Sequence, residues 1–98
     1  MTRREVRVTD SFFVGLDSQL RPERGPNGES SATDFIVIDL PTIVEQFATS
    51  FDDLAEAIPG VPSLRMLVGT GALVRAYVVH GIEVGDGVID LVAIDIDP

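Results

Sequence analysis

Cysteine, tryptophan and lysine are all missing from the 98 residues, and histidine and tyrosine each occur once. Without cysteine there is no disulfide framework and no thiolate zinc site. Without lysine, the glycines at Gly69-Thr70-Gly71 cannot belong to a phosphate-binding loop, and a hairpin turn explains them better. A Ser/His/Asp relay would have to bring His80 to Ser30, Ser31 or Ser63, and nothing in the spacing does so. No apolar run approaches the ~18–20 residues of a membrane span, and no apolar stretch follows the charges of MTRREVRVTD as in a secretory signal. The expectation is a soluble, cytoplasmic protein of one domain without a cofactor.

Charge is the most unusual property that remains. Sixteen acidic residues against seven arginines give a net charge of −9. Such a field repels polyanions, so contact with RNA, the ribosome or an anionic membrane is disfavoured. The imbalance is uneven: residues 1–24 hold five arginines and four acids, whereas residues 25–98 hold two arginines and twelve acids. Any anion site is therefore expected near the N-terminal segment and its sheet neighbours.

RREVRV, residues 3–8, reads as a short strand whose arginines suit a sheet edge. Thr9 is placed to cap a helix over about 10–20, with Phe12, Phe13, Leu16 and Leu20 on one side; Gly15 weakens that helix by ~1 kcal/mol relative to alanine. The prolines, glycines and polar residues of 21–33 mark a loop. Leu40, Ile43, Val44, Phe47, Phe51 and Leu54 keep a helical period, which predicts a helix over about 34–50, disturbed near Pro41. Either Thr33 caps a long kinked helix, or Asp39 caps a shorter one in which Pro41 occupies the tolerant first turn. A short turn at 51–54 and the prolines at 59 and 62 end the helical part. The phenylalanines at 12, 13, 35, 47 and 51 are core candidates.

From Leu64 to Asp97 the pattern changes to period two, with glycine-marked turns near 69–71 and 83–87. Strands are predicted over 64–69, 73–82 and 88–97, and the last, apolar on both rows, is expected to lie between two others. Placing Leu64/Met66/Val68 and Val74/Ala76/Val78 on the buried face sends Arg65, Arg75 and Tyr77 to the other. The expected class is α+β: an N-terminal strand, two helices, then a three-stranded antiparallel meander, with both helices on one sheet face.

This order, with Leu64-Arg65-Met66-Leu67-Val68, a glycine turn, Val74-Arg75-Ala76-Tyr77-Val78-Val79 and a hydrophobic last strand, resembles the RelE/ParE superfamily of bacterial type II toxins. The resemblance implies a toxin component paired with an antitoxin. It also implies, by analogy with the messenger-RNA-cleaving branch, that Arg65, Arg75 and Tyr77 would be the catalytic residues, the arginines binding phosphate and stabilising the leaving group. The chain departs from that branch in lacking lysine and in ending on Ile94-Asp95-Ile96-Asp97-Pro98, which puts acids where cations are needed. Asp95 or Asp97 beside Arg75 would compensate its charge.

The other expectation is a non-catalytic acidic interaction module that binds a protein partner or forms a homo-oligomer. Asp86, Asp90, Asp95 and Asp97 also raise a hard-cation site, but alternating acids at the end of a strand more commonly form a solvated rim.

Overall fold

The computed structural model describes residues 3–20, 26, 31–85 and 87–97. Its elements run β1 (Glu5–Val8), α1 (Asp10–Gln19), α2 (Ala32–Ile38), α3 (Leu40–Ser50), a 3-10 turn at Phe51–Asp53, β2 (Ala55–Glu56), β3 (Leu64–Gly69), β4 (Ala76–Glu83) and β5 (Val88–Asp97). The class is α+β, as expected, but the sheet is larger and mixed. It has five strands in the order β1-β5-β4-β3-β2, with β1 parallel to β5 and every other pair antiparallel. The three C-terminal strands thus form part of a mixed sheet instead of a free-standing meander. The expected loop at 21–33 falls largely outside the described residues, as does Asp86 of the second turn.

The one predicted long helix is two. Ser31, not Thr33, caps α2: its hydroxyl accepts from the Asp34 amide while the Asp34 carboxylate accepts from the Ser31 amide, a reciprocal capping box. The helical path breaks at Asp39, and Pro41 lies in the first turn of α3, where a missing N–H costs nothing. Thr9 caps α1 as expected, accepting from the Phe12 amide.

The strand β5 lies between β1 and β4 and organises the core. β1 pairs only with Val88–Leu91, so the outer edge of β5 beyond that point needs other partners. α1 supplies them from its side chains. Ser11 donates to the Val92 carbonyl (2.9 Å), Gln19 Nε2 donates to the Ile94 carbonyl (2.6 Å), and the Ile96 amide donates to Gln19 Oε1 (2.6 Å). A helix thereby closes an edge that would otherwise invite strand addition.

The register of β4 and β5 slips between His80 and Gly81: His80 lies opposite Ala93 but Gly81 opposite Leu91, leaving Val92 as an extra residue. A bulge of this kind turns the side-chain alternation over. Ile89 and Leu91 before it and Ile94 after it are all buried, which explains why the strand is apolar on both rows. These three join Phe12, Leu16, Phe35, Ile43, Phe47, Phe51, Tyr77 and Val79 in one core beneath the helices. Of the five phenylalanines, Phe13 alone is only partly buried against that core.

At the slip, Gly81 lets α3 approach the sheet: a Cβ there would stand 2.5 Å from Cε1 of Phe47 and 3.2 Å from Cγ2 of Ile89. Both neighbours are fully buried and have nowhere to retreat. Gly81→Ala is therefore expected to destabilise the fold by about 1–3 kcal/mol, read as a lower midpoint in urea denaturation. An unchanged midpoint would mean that α3 does not pack on the sheet as described.

Candidate functional site

The pairing of β3 with β4 sets where the candidate residues point. Val68 is opposite Val78, Met66 opposite His80, and Leu64 opposite Ile82, while Gly69 faces Tyr77 and Arg65 faces Gly81. Ala76 and Val78 share a face with Leu64, Met66 and Val68 as expected, but the helices cover the opposite side, and Val74, expected in the same row, lies in the loop before β4 and is buried in the core. Tyr77 and Val79 are buried, whereas Val68 is 63% exposed. The row Tyr77/Val79, continued by Ile94 on β5, packs into the core on the helix-covered side.

Arg65 points to the helix side at the far end of the sheet. Its Nε donates to the Pro62 carbonyl (2.8 Å) and its Nη1 to the Leu54 carbonyl (2.8 Å), with the guanidinium 5.8 Å from the Phe51 ring centroid. Those contacts fasten the segment around β2 to β3. On the same ring lies Arg4, 5.3 Å from its centroid, bound to Asp52 (3.1 Å) and Glu83 (3.2 Å). Hydrogen bonding to Asp52 holds the Arg4 guanidinium above its ordinary pKa. Arg4, Thr49, Ser50, Asp52, Asp53, Glu83 and Gly87 line a cleft of about 500 Å³ that sequence reasoning missed. Its one arginine is already engaged by two carboxylates, so the cleft offers no free cation to an anion.

Tyr77 lies under the helices, edge-on to Phe35 with ring centroids 6.4 Å apart. Its phenol covers Gly69, where a Cβ would come within 2.8 Å of Oη. Arg75 precedes β4 instead of lying in it: the segment between β3 and β4 is a loop, not the tight hairpin expected at 69–71, and the strand begins at Ala76, not near 73. Arg75 is exposed, its amide donates to the Asp97 carbonyl (2.9 Å), and among the described residues its side chain makes no ion pair with Asp95 or Asp97.

The three candidates are therefore not brought together. Arg65 lies opposite Gly81, six residues along β4 from Arg75, a separation of ~20 Å at ~3.3 Å per residue. Tyr77 is buried, with its ring packed beneath the helices against Phe35. A single phosphate cannot be reached by all three.

What the structure does assemble is a sheet face that no helix covers among the described residues. Leu64, Met66, Val68, Ala76, Val78 and Ile82 form its apolar half on β3 and β4; Glu5, Arg7, Asp90, Asp95 and Asp97 form its charged half on β1 and β5. Arg7 pairs with Asp90 (2.7 Å), while Asp95 and Asp97 make no ion pair among the described residues. A shallow depression of about 230 Å³ lies where the halves meet, lined by Val68, Ala76, Tyr77, Val78, Asp95, Ile96 and Asp97. His80 stands on this face between Met66 and Ala93, and Ser31 is engaged as a helix cap, so no relay forms between them. No group of three potential metal ligands occurs among the described residues, and none of their helices is long and apolar enough to cross a membrane.

No family model, curated protein or solved structure matches this chain.

Burial, with a smaller contribution from the Asp39 carboxylate, pushes the Tyr77 pKa above its ordinary value of about 10. The folded state gains from keeping this proton; that gain is complete below about pH 10 and is lost as pH climbs through the raised folded value. Because Tyr77 is the only tyrosine and there is no tryptophan, tyrosinate absorbance reports it alone. The native protein should ionise at higher pH than the chain in denaturant; coincident curves would place Tyr77 in solvent.

Proposed function

We propose that this protein is a non-catalytic interaction domain that works by docking a protein partner on the uncovered face of its sheet. The observation that carries this reading is the dispersal of the candidate catalytic groups. Arg65 spends its guanidinium on backbone carbonyls and Tyr77 is buried, while the bare face holds aliphatic side chains and unpaired carboxylates. Phosphate cleavage requires cations converging on the developing charge. Arg75 is exposed, and no second free cation accompanies it among the described residues: Arg3, Arg4 and Arg7 are ion-paired.

A second reading, a RelE/ParE-like toxin component held by an antitoxin, is supported by the order of strand, helices and three successive antiparallel strands, and by the exposure of Arg75. On that reading too, a catalytically degenerate relative would act by binding a protein.

Purified protein added to translating ribosomes separates the two. The interaction-domain reading expects intact messenger RNA and unimpaired growth when the protein is induced alone. Cleavage that Arg75→Ala abolishes without lowering the melting temperature would overturn it in favour of the toxin. Arg75 is the informative position because Arg65→Ala would also loosen the β2 segment.

A further inference from the structure

Resting on the interaction-domain reading, we infer that the occupant of the open face is a single protein segment that presents a line of aliphatic side chains flanked on one side by arginine or lysine. It seats along Leu64, Met66 and Val68 of β3 and Val78 and Ile82 of β4, with its basic flank over Asp95 and Asp97.

The layout of the face dictates that chemistry. Across the sheet, Val68, Val78 and Asp95 are consecutive neighbours, and Ala76 and Asp97 form the adjoining pair. Two carboxylates without ion-pair partners among the described residues thus border the apolar depression directly. Asp90, the third acid of β5 on this face, is already taken by Arg7 (2.7 Å). Glu5 lies at the other end of the face, two residues from Arg7 on β1; the unpaired acids that adjoin the apolar strip are Asp95 and Asp97, beside the most exposed large aliphatic side chain of the sheet, Val68 at 63%. A long basic side chain matches both features, laying its methylene stem on valine and its charged head against carboxylate.

Size and charge rule on the alternatives. From Leu64 to Val68 the strip measures ~13 Å, and β3 and β4 are one strand spacing apart, ~5 Å. That is the footprint of one segment, well short of the ~800 Å² per partner of a standard stable interface. A second copy of this chain would bring Asp95 and Asp97 toward their own equivalents with −9 on each molecule, a like-charge arrangement that opposes pairing. Nucleic acid meets the same repulsion.

The test uses the whole protein and three synthetic peptides alternating valine with arginine, with serine or with glutamate. Binding is followed by amide chemical shifts and by fluorescence anisotropy. The arginine peptide is expected to shift Val68, Val78, Asp95 and Asp97 and to bind at least tenfold more tightly than the serine peptide. Its affinity should fall about tenfold in Asp95→Asn/Asp97→Asn, and fall further in high salt. Val68→Asp should abolish binding while leaving the melting temperature unchanged. Equal binding of the glutamate peptide, shifts confined to other surfaces, or no binding of the arginine peptide at millimolar concentration would each overturn the inference. So would a dimer in sedimentation that Val68→Asp dissociates, since the face would then belong to a second copy. Failure here with ribosomal messenger RNA left intact overturns this occupant alone; cleavage lost in Arg75→Ala overturns the interaction-domain reading itself.

Discussion

Asp39 is a buried carboxylate at the break between α2 and α3, and the course of the chain from β3 to β4 hangs on it. Its side chain makes no capping bond to α3. It reaches across to the loop between β3 and β4, where its two oxygens accept the Ala72 amide (2.8 Å) and the Leu73 amide (3.2 Å). Gly71 allows that approach, since a Cβ there would meet Asp39 Oδ2 at 2.7 Å. A carboxylate sealed from water is tolerable only when hydrogen-bonded, and here the donors are backbone amides that the loop would otherwise leave unmet. Residues 70–75 are held as a loop against the helices, β4 begins at Ala76, and Arg75 is left outside the ladder.

The choice of which sheet face stays open follows from this course. With Gly69 opposite Tyr77, the phenol turns beneath the helices, and the Val68/Val78 row faces outward. One side of the sheet is closed by three helices; among the described residues nothing closes the other. Closure also differs between the two edges of the sheet. α1 occupies the outer hydrogen bonds of β5 with Ser11 and Gln19, whereas β2 pairs with β3 only at Arg65 and Met66. The chain leaves bare the region around Val68, beside the carboxylates of Asp95 and Asp97.

Much of this was legible in the residues, and the failures have physical causes. The Thr9 cap, the period-two stretch after Leu64 and the interior place of the last strand could be read directly, because each rests on local chemistry. The break at Asp39 was foreseen as a disturbance near Pro41, but the capping box at Ser31 and Asp34 lay two residues upstream of the expected cap. The covered face is the opposite of the one expected, because both rows of β3 and β4 contain apolar residues and only the packing of Tyr77, Val79 and Ile94 against the helices decides between them. Arg65 satisfies carbonyls at the sheet's end, and Arg75 is not in a strand at all. The bulge at Val92 and the parallel pairing of β1 with β5 depend on contacts between distant segments, for which local periodicity carries no signal. The open face could have been suspected from Asp95 and Asp97 alternating with isoleucines, a pattern that makes one row polar.

The register between β3 and β4 is the claim on which the rest depends, and interproton contacts in solution measure it directly. Close cross-strand contacts are expected between Val68 and Val78 and between Met66 and His80, together with contacts from the Tyr77 ring to Phe35. Contacts from the Tyr77 ring to Met66 or Val68, with none to Phe35, would show the tyrosine on the open face and contradict that register.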